Sequence, residues 1–156
     1  MKDTERSAMG DDLIHEITRS CLLTRTRRIS RVLTNIYDHE LRPFGINSPQ
    51  FSLLVVISRL GAASRAEIGR ANQQDRSTLT RNLQLVLSQG WVEEIPHEAG
   101  GRSRPIMLTQ TGRQLLHDAA PAWRAAQVKA KELLGEGGVI AVTGVADDLL
   151  SSQSAP

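Results

Sequence analysis

Two short helices joined by a tight turn limit the possible folds of this chain more than any other feature. Ser64 and Glu67 have the spacing of a capping box, which satisfies the free backbone donors at a helix start and predicts a helix over 65–71. After the turn "NQQD", Asp75 is a good N-cap for a second helix over about 75–89. Together the two segments predict a helix-turn-helix.

Two strands follow the second helix after Gly90, which ends that helix. The segments "WVEEI" (91–95) and "PIML" (105–108) flank the turn-rich "PHEAGGRSR" and predict a β-hairpin whose tip carries Arg102 and Arg104. A helix-turn-helix followed directly by such a hairpin is a winged helix. When such a fold binds DNA, its second helix enters the major groove and its wing reaches the backbone or the adjacent minor groove.

The second helix has two unlike faces, and the polar face is suited to DNA. At 100° per residue, four apolar side chains fall within an arc of about 100°: Leu79, Leu83, Val86 and Leu87. The opposite face carries arginines, which pair with guanine or phosphate, and hydroxyls, which suit phosphates or base edges. The predicted DNA contacts are Arg76, Ser77, Thr78, Arg81, Asn82 and Gln84 on the helix, and Arg102 and Arg104 on the wing.

The charge distribution favours the same interpretation. The 156-residue chain has a net charge of only +2, but residues 19–104 contain 13 Lys and Arg against 7 Asp and Glu. Of the 19 basic residues in the chain 16 are arginine, whose planar fork binds phosphate and guanine edges in pairs of hydrogen bonds. The alternative is a winged helix that binds other proteins and has solvated arginines. Salt separates the two, because only DNA binding through several phosphates weakens steeply as salt rises.

Helices are also predicted before the helix-turn-helix. Apolar residues recur at helical spacing over 11–42 and indicate one long helix. Pro43 and Gly45 then break the pattern. Ser48 is a candidate N-cap for an almost wholly apolar helix over 49–60, with proline at its first position.

The C-terminal part is predicted to be helical as well. Thr109 is a candidate cap for a helix from 110 to about 134, in which Pro121 should cause a kink because it removes a backbone donor. The following "GVIAVTGVADDLL" locally favours a strand, but a lone strand would have no partner, so a last amphipathic helix is predicted. The fold class is therefore mainly α with a small β-hairpin wing.

Other classes of function find no support in the sequence. The four histidines show no ligand spacing, and the single cysteine excludes a disulfide framework and a zinc site with several thiolates. No Gly-rich phosphate loop or nucleophile motif is present, so we expect no enzyme, no cofactor and no metal. The charged start and the short apolar stretch "LLVVI" predict a cytoplasmic protein without membrane contact.

Four segments together resemble the MarR family of bacterial winged-helix regulators. They are "DRSTLTRNL" followed by "QGWVE", then "LTQTG" at 108–112 and "PAWRAAQ" at 121–127, in matching order and spacing. The resemblance covers about residues 13–152. It implies a homodimer that binds a pseudo-palindromic double-stranded DNA operator and regulates transcription, usually as a repressor that a small-molecule effector or an oxidant releases.

The resemblance also implies a domain organisation. The whole chain is expected to be one domain, and the predicted parts are dimerisation helices at 11–42 and 110–153, a winged helix-turn-helix at 49–108, a recognition helix at about 75–89 and a wing at about 96–104. In the family the effector pocket lies between the dimerisation helices and the winged helix. The residues that could line it are His15, Tyr37, His117 and Trp123, although each also suits ordinary packing.

Cys21 raises a second alternative, a redox-sensing repressor. It lies roughly where relatives that sense organic hydroperoxides carry their reactive cysteine. A sensing thiol must be a thiolate with access to solvent. Cys21 continues the apolar series of Leu13 and Ile17, which predicts burial at a dimer interface, a raised thiol pKa and a structural role.

Overall fold

The computed structural model describes residues 12–96 and 104–152. The chain divides into two compact units, Met1–Asn35 and Ile36–Pro156. The described part of each unit is mainly helical, and the second unit also contains a two-stranded antiparallel sheet. The predicted fold class, mainly α with a small β-hairpin, is confirmed.

The first unit is helical with one interruption. Helix α1 occupies residues 12–20 and helix α2 spans Leu22–Leu41, so the single helix predicted over 11–42 is divided at Cys21. The helical hydrogen bonds nevertheless continue across this point, since the Cys21 amide donates to the Ile17 carbonyl at 3.0 Å. The prediction of a long helical segment is correct, but its continuity is not.

Hydroxyl groups next to Cys21 give a physical reason for the interruption. Thr18 Oγ1 donates to the Ile14 carbonyl at 2.7 Å, and Ser20 Oγ donates to the Glu16 carbonyl at 2.6 Å. Bonds from a side chain to the carbonyl one turn earlier compete with the backbone ladder and bend helices. Two such bonds precede the break directly.

Helix α3 is central to the second unit. A 3₁₀ helix, Arg42–Phe44, and Gly45 with φ of 69° separate α2 from α3, which spans Ser48–Leu60. Three of its side chains are fully buried: Leu53, Leu54 and Ile57. Because all later helices and the second strand contact it, α3 supplies much of the apolar surface on which they pack.

The start of α3 differs from the prediction by one residue. The N-cap is Asn47 rather than Ser48, because the Asn47 side chain accepts from the Gln50 amide and the Gln50 side chain accepts from the Asn47 amide. The Ser48 amide donates instead to Asp38 Oδ1 at 2.6 Å. A capping box and a carboxylate from α2 thus satisfy the first donors of the helix.

Helices α4 (Arg65–Ala71) and α5 (Arg76–Ser88) form the predicted helix-turn-helix. Ser64 and Glu67 make the capping box of α4, since each side chain accepts from the other residue's amide. Asp75 caps α5. Both predicted caps are therefore confirmed, and with them the start of both helices.

The two helices approach closely at Gly69. A Cβ atom there would lie 3.1 Å from Leu79 Cδ2, closer than ordinary van der Waals contact. The turn between the helices contains Gln73, whose φ of 49° lies in the left-handed region that residues other than glycine seldom adopt. The tight turn therefore places Gln73 in a strained backbone conformation.

The hairpin is present but shorter than predicted. Strands β1 (Val92–Glu94) and β2 (Ile106–Leu108) pair antiparallel through three residue pairs, with Val92 opposite Leu108. The Ile95 amide still donates to the Pro105 carbonyl at 2.8 Å, beyond the last pair. Ala63 exchanges two backbone hydrogen bonds with Ile106, so the segment before α4 pairs with the edge of β2 that faces away from β1.

Helix α6 spans Gln110–Ser152 and is interrupted at Gly135, where φ is 66° and ψ is 170°. Only glycine adopts that conformation readily. The dihedral angles at Pro121 are helical, and the kink expected there stays a prediction. The cap at Thr109 is confirmed, since its Oγ1 accepts from the Gly112 amide at 3.0 Å.

A single apolar core holds the second unit together. Its buried residues come from α2 to α6 and both strands, among them Leu41, Leu53, Ile68, Leu83, Ile106 and Ala119. Because this core lies against one face of α5, it fixes which face of that helix meets solvent. Among the described helices, none is long and apolar enough to cross a membrane.

Candidate nucleic-acid interface

The two faces of α5 are arranged as its sequence predicts. Leu79, Leu83 and Val86 are buried in the core and Leu87 is half-buried. The candidate contact residues Arg76, Ser77, Thr78, Arg81 and Gln84 are exposed, and Asn82 is half-buried. The helix therefore presents a polar surface with two arginines on a backbone that the core holds in place.

The first turn of α5 is organised by Asp75. Its Oδ1 accepts from the amides of Ser77 at 3.0 Å and Thr78 at 2.9 Å. Both hydroxyls also donate to this carboxylate, Ser77 Oγ at 2.6 Å and Thr78 Oγ1 at 2.7 Å. These bonds hold the pKa of Asp75 well below its usual range, and the bond from the Ser77 hydroxyl contributes most.

This arrangement limits what the two hydroxyls can do. A hydroxyl has one donor and two acceptor lone pairs, and the donors of Ser77 and Thr78 are both used by Asp75. In this state they can only accept a further hydrogen bond. To donate to a phosphate, either hydroxyl must first leave Asp75.

A groove of about 1600 Å³ lies beside α5, between it and helices α3 and α4. Four arginines from these three helices line it, and we call it the arginine groove: Arg59, Arg65, Arg70 and Arg76. All four are exposed. Of the predicted contact residues, Arg76 and Gln84 line this groove as well.

The prediction from sequence missed Arg59, Arg65 and Arg70. The arginine excess of residues 19–104 includes them but does not single them out. They come together with α5 only because α4 folds back on α3, which is a consequence of tertiary packing. No local pattern marks them.

One of these arginines is already paired. Arg65, the first residue of α4, places its guanidinium 2.5 Å from Glu94 Oε1 at the end of β1. The pair is partly exposed and joins the helix-turn-helix to the base of the hairpin. Arg104 is exposed shortly before β2, whereas Arg102 lies outside the described residues.

The four candidate effector residues are placed differently from one another. His15 is exposed in the first unit. In the second unit Tyr37 packs against the core, which raises its pKa through burial, while Trp123 is 37% exposed. His117 is exposed, with Nδ1 3.2 Å from Asp118 Oδ1. None of the four lines the arginine groove, and the effector pocket stays a prediction.

Cys21 departs from its predicted chemistry. It is half-buried, and a hydrogen bond with the Thr24 side chain lowers its pKa. In the single chain the Thr24 hydroxyl thus outweighs the effect of burial on this pKa, and burial of Cys21 at a dimer interface stays a prediction. A lowered thiol pKa favours the thiolate, the reactive form of cysteine. Within the described residues no group of three or more His, Cys, Asp or Glu is placed to hold a metal ion.

Comparison with known proteins decides the family. A model of the MarR family matches residues 44–103, which include the whole helix-turn-helix. The HTH-type transcriptional repressor Mb2911 of Mycobacterium bovis is 31% identical over 102 residues, which are 65% of this chain and 73% of that protein. The chain belongs to the MarR family. The matched relatives with assigned roles are transcriptional regulators rather than enzymes.

Solved structures of MarR-family proteins have the same fold. The regulator MosR of M. tuberculosis in complex with DNA is 35% identical, with a TM-score of 0.68, and the match covers 84% of this chain and 98% of MosR. A mutant MarR from E. coli in complex with operator DNA is 20% identical, with a TM-score of 0.76, over 86% of this chain and 97% of that one. Both confirm the MarR winged-helix fold of this chain.

Proposed function

We propose that this MarR-family chain regulates transcription by binding double-stranded DNA at specific sequences, with α5 as the recognition helix in the major groove. The observation that carries this proposal is the fixed orientation of α5. Leu83 and Val86 are fully buried, so the helix cannot turn its arginine face away from solvent without breaking the core. The DNA complex of its relative MosR supports the same partner.

The polar residues of α5 divide by chemistry. Arg76 and Arg81 suit guanine edges or phosphates, and Asn82 and Gln84 suit adenine edges. We propose that Ser77 and Thr78 contact the DNA from the first turn. Arg102 and Arg104 would act from the wing on the backbone or the minor groove, where contacts carry less sequence information.

A homodimer is the proposed assembly, through segments 11–42 and 110–153. Many large apolar side chains of both segments are exposed in a single chain, including Leu13, Ile17, Leu22, Leu23, Val128, Leu133 and Ile140. Exposed apolar surface of this extent favours a partner, and a second copy supplies the same surface. A two-fold dimer would bind half-sites whose centres lie about 10 to 10.5 base pairs apart.

The proposed mode of action is repression that a small-molecule effector releases. Several curated relatives are named repressors, which supports this direction of control. His15, Tyr37, His117 and Trp123 remain the candidates for the effector pocket.

The decisive experiment measures binding of promoter DNA by the intact chain. Footprinting of its own promoter region locates the operator, and fluorescence anisotropy then compares the operator with a random duplex over a range of salt. We expect Arg81→Ala to cost about 1 to 3 kcal/mol on the operator and to relax preference at one base position. Arg124→Ala, which removes an exposed arginine from α6, is the control and should leave that preference unchanged, with sedimentation to verify that the variant is still a dimer.

Three outcomes would contradict the proposal. Equal binding of operator and random duplex at all salt concentrations would remove sequence-specific recognition. A binding constant that does not fall with salt would favour the protein-interaction alternative. A monomer at micromolar concentration in sedimentation would remove the dimer.

A further inference from the structure

The arginine groove contains positive charge that the recognition helix alone does not explain. Arg59 lies next to the end of α3 and Arg70 next to the end of α4, yet both line the same groove as Arg76 at the start of α5. Three separate helices thus contribute arginine residues to one groove beside α5. A surface of this kind suits a chain of phosphates better than a single small anion, because its charges come from several elements along the groove.

The four arginines are not equally available. Glu94 holds Arg65 in an ion pair at 2.5 Å. Asp75, which also lines the groove, accepts four hydrogen bonds from Ser77 and Thr78. Among the described carboxylates, none forms an ion pair with Arg59 or Arg70. Glu67 attracts Arg70 only from beyond ion-pair distance, so both guanidinium groups are free to bind a partner directly.

We infer that Arg59 and Arg70 bind the DNA backbone that borders the major groove, while Glu94 withholds Arg65 from it. The inference rests on the proposed DNA binding by α5. When the second helix of a helix-turn-helix lies in the major groove, its first helix crosses the backbone, and here α4 carries Arg70 with Arg59 beside it. Arginine binds phosphate oxygens through charge-assisted hydrogen bonds.

Contacts of this kind have a distinct signature. Phosphates are the same at every base pair, so Arg59 and Arg70 add affinity for all duplexes and little preference among them. Each phosphate that is neutralised releases counterions, which adds about 0.9 to the salt slope of the binding constant. Residues that read bases change preference instead.

Glu94 should weaken DNA binding although it lies on the hairpin. Its carboxylate pairs with the guanidinium of Arg65 and so keeps that group from the phosphates. Removal of the carboxylate charge alone would free Arg65 for the backbone. Glu94→Gln is therefore expected to bind DNA more tightly than the wild type, which distinguishes this role from a merely structural ion pair.

The first test measures salt slopes by fluorescence anisotropy on the operator and on a random duplex of equal length. We expect Arg59→Gln and Arg70→Gln each to lower the slope by about 0.9 per protomer on both duplexes, with the ratio of the two affinities unchanged. Arg124→Gln, outside the arginine groove, is the matched control and should leave the slope unchanged once sedimentation shows that this variant is still a dimer. Circular dichroism melts verify that each variant is folded.

The second test uses Glu94. Glu94→Gln should steepen the salt slope, Arg65→Gln should leave it nearly unchanged, and the double variant should match Arg65→Gln. A neutral methylphosphonate placed in the protected backbone should weaken the wild type but not the folded Arg70→Gln variant.

Unchanged slopes in folded Arg59→Gln and Arg70→Gln, with normal operator binding by the wild type, would overturn the inference and leave the proposed function standing. Weaker binding by Glu94→Gln would overturn the role of Glu94. Failure of the wild type itself to bind the operator would reject the proposed function.

Discussion

Gly112, in the first turn of α6, offers a sharp test of how the hairpin is attached to the last helix. A Cβ atom added there would lie 2.1 Å from the Trp91 carbonyl oxygen and 3.0 Å from Leu108 Cδ1. A carbon and a carbonyl oxygen in contact need about 3.3 Å, so the backbone before β1 must move by about 1.2 Å. The Trp91 oxygen is part of the backbone, so no change of side-chain rotamer can relieve the clash.

The movement would disturb the contacts that hold this carbonyl. The Thr109 amide donates to the Trp91 oxygen at 3.0 Å, and the Thr109 hydroxyl lies 3.1 Å from it. Overpacking costs about 1 to 3 kcal/mol. Loss of one or two hydrogen bonds adds about 1 kcal/mol each, and the better helix propensity of alanine returns about 1 kcal/mol. Gly112→Ala should therefore lose about 1 to 4 kcal/mol of unfolding free energy.

Thermal melts followed by circular dichroism can measure this loss. For a chain of this length the expected fall in Tm is about 3 to 12 °C. Thr111→Ala is the matched control, since Thr111 is exposed one residue earlier in the same turn, and both variants are compared at equal protein concentration. If Gly112→Ala melted within about 1 °C of Thr111→Ala, the close approach of Trp91 to α6 would be wrong.

Three further predictions follow from particular contacts. Gln73→Gly should raise the unfolding free energy by about 0.5 to 1 kcal/mol in urea titrations, because glycine removes the strain of a positive φ, and a loss would refute that strain. Lys129 donates a hydrogen bond to Glu40 and lowers the pKa of Glu40. The contribution of this pair to folding stability is therefore present above the ordinary carboxyl pKa and is lost as the pH falls through the lowered pKa. Glu40→Gln should then be less stable than the wild type near pH ~7 by urea titration, with the difference vanishing in acid; a difference independent of pH would refute the pairing. Thr24→Val should slow alkylation of Cys21 near pH ~7 but not near pH ~10, and equal rates at both would show that Thr24 does not lower the thiol pKa.

Local chemistry explains which parts of the fold could be predicted. Helices α4 and α5 begin where Ser64 and Asp75 cap them, because a cap is set by residues within one turn of it. The Asn47 cap was missed by one residue, since Asn47 and Ser48 both suit the position and Asp38 from another helix binds the Ser48 amide. Local patterns identify elements, and contacts from elsewhere shift their ends.

The surroundings of Pro121 and Cys21 depend on contacts that the sequence pattern does not encode. Proline removes one backbone donor from the helix, and whether water can bind the freed carbonyl depends on exposure, which is a tertiary property. The pKa of Cys21 depends on the rotamer of Thr24, which the apolar spacing of the helix does not encode. For the same reason the arginine groove could not be predicted, because its members are close in space but dispersed along the chain.

The short ladder of the hairpin allows its tip to vary in length at little cost to folding. Three residue pairs, together with the edge contact of Ala63, fix the register at the base, where Val92, Ile106 and Leu108 are buried. The connection over residues 95–105 is closed by that base, and each doubling of a loop costs only about 0.6 kcal/mol of closure entropy. Insertions or deletions in this segment are therefore expected to cost little folding stability. Under the proposed function, changes of length in this segment would alter the contacts of the hairpin with DNA while α5 keeps its place on the core.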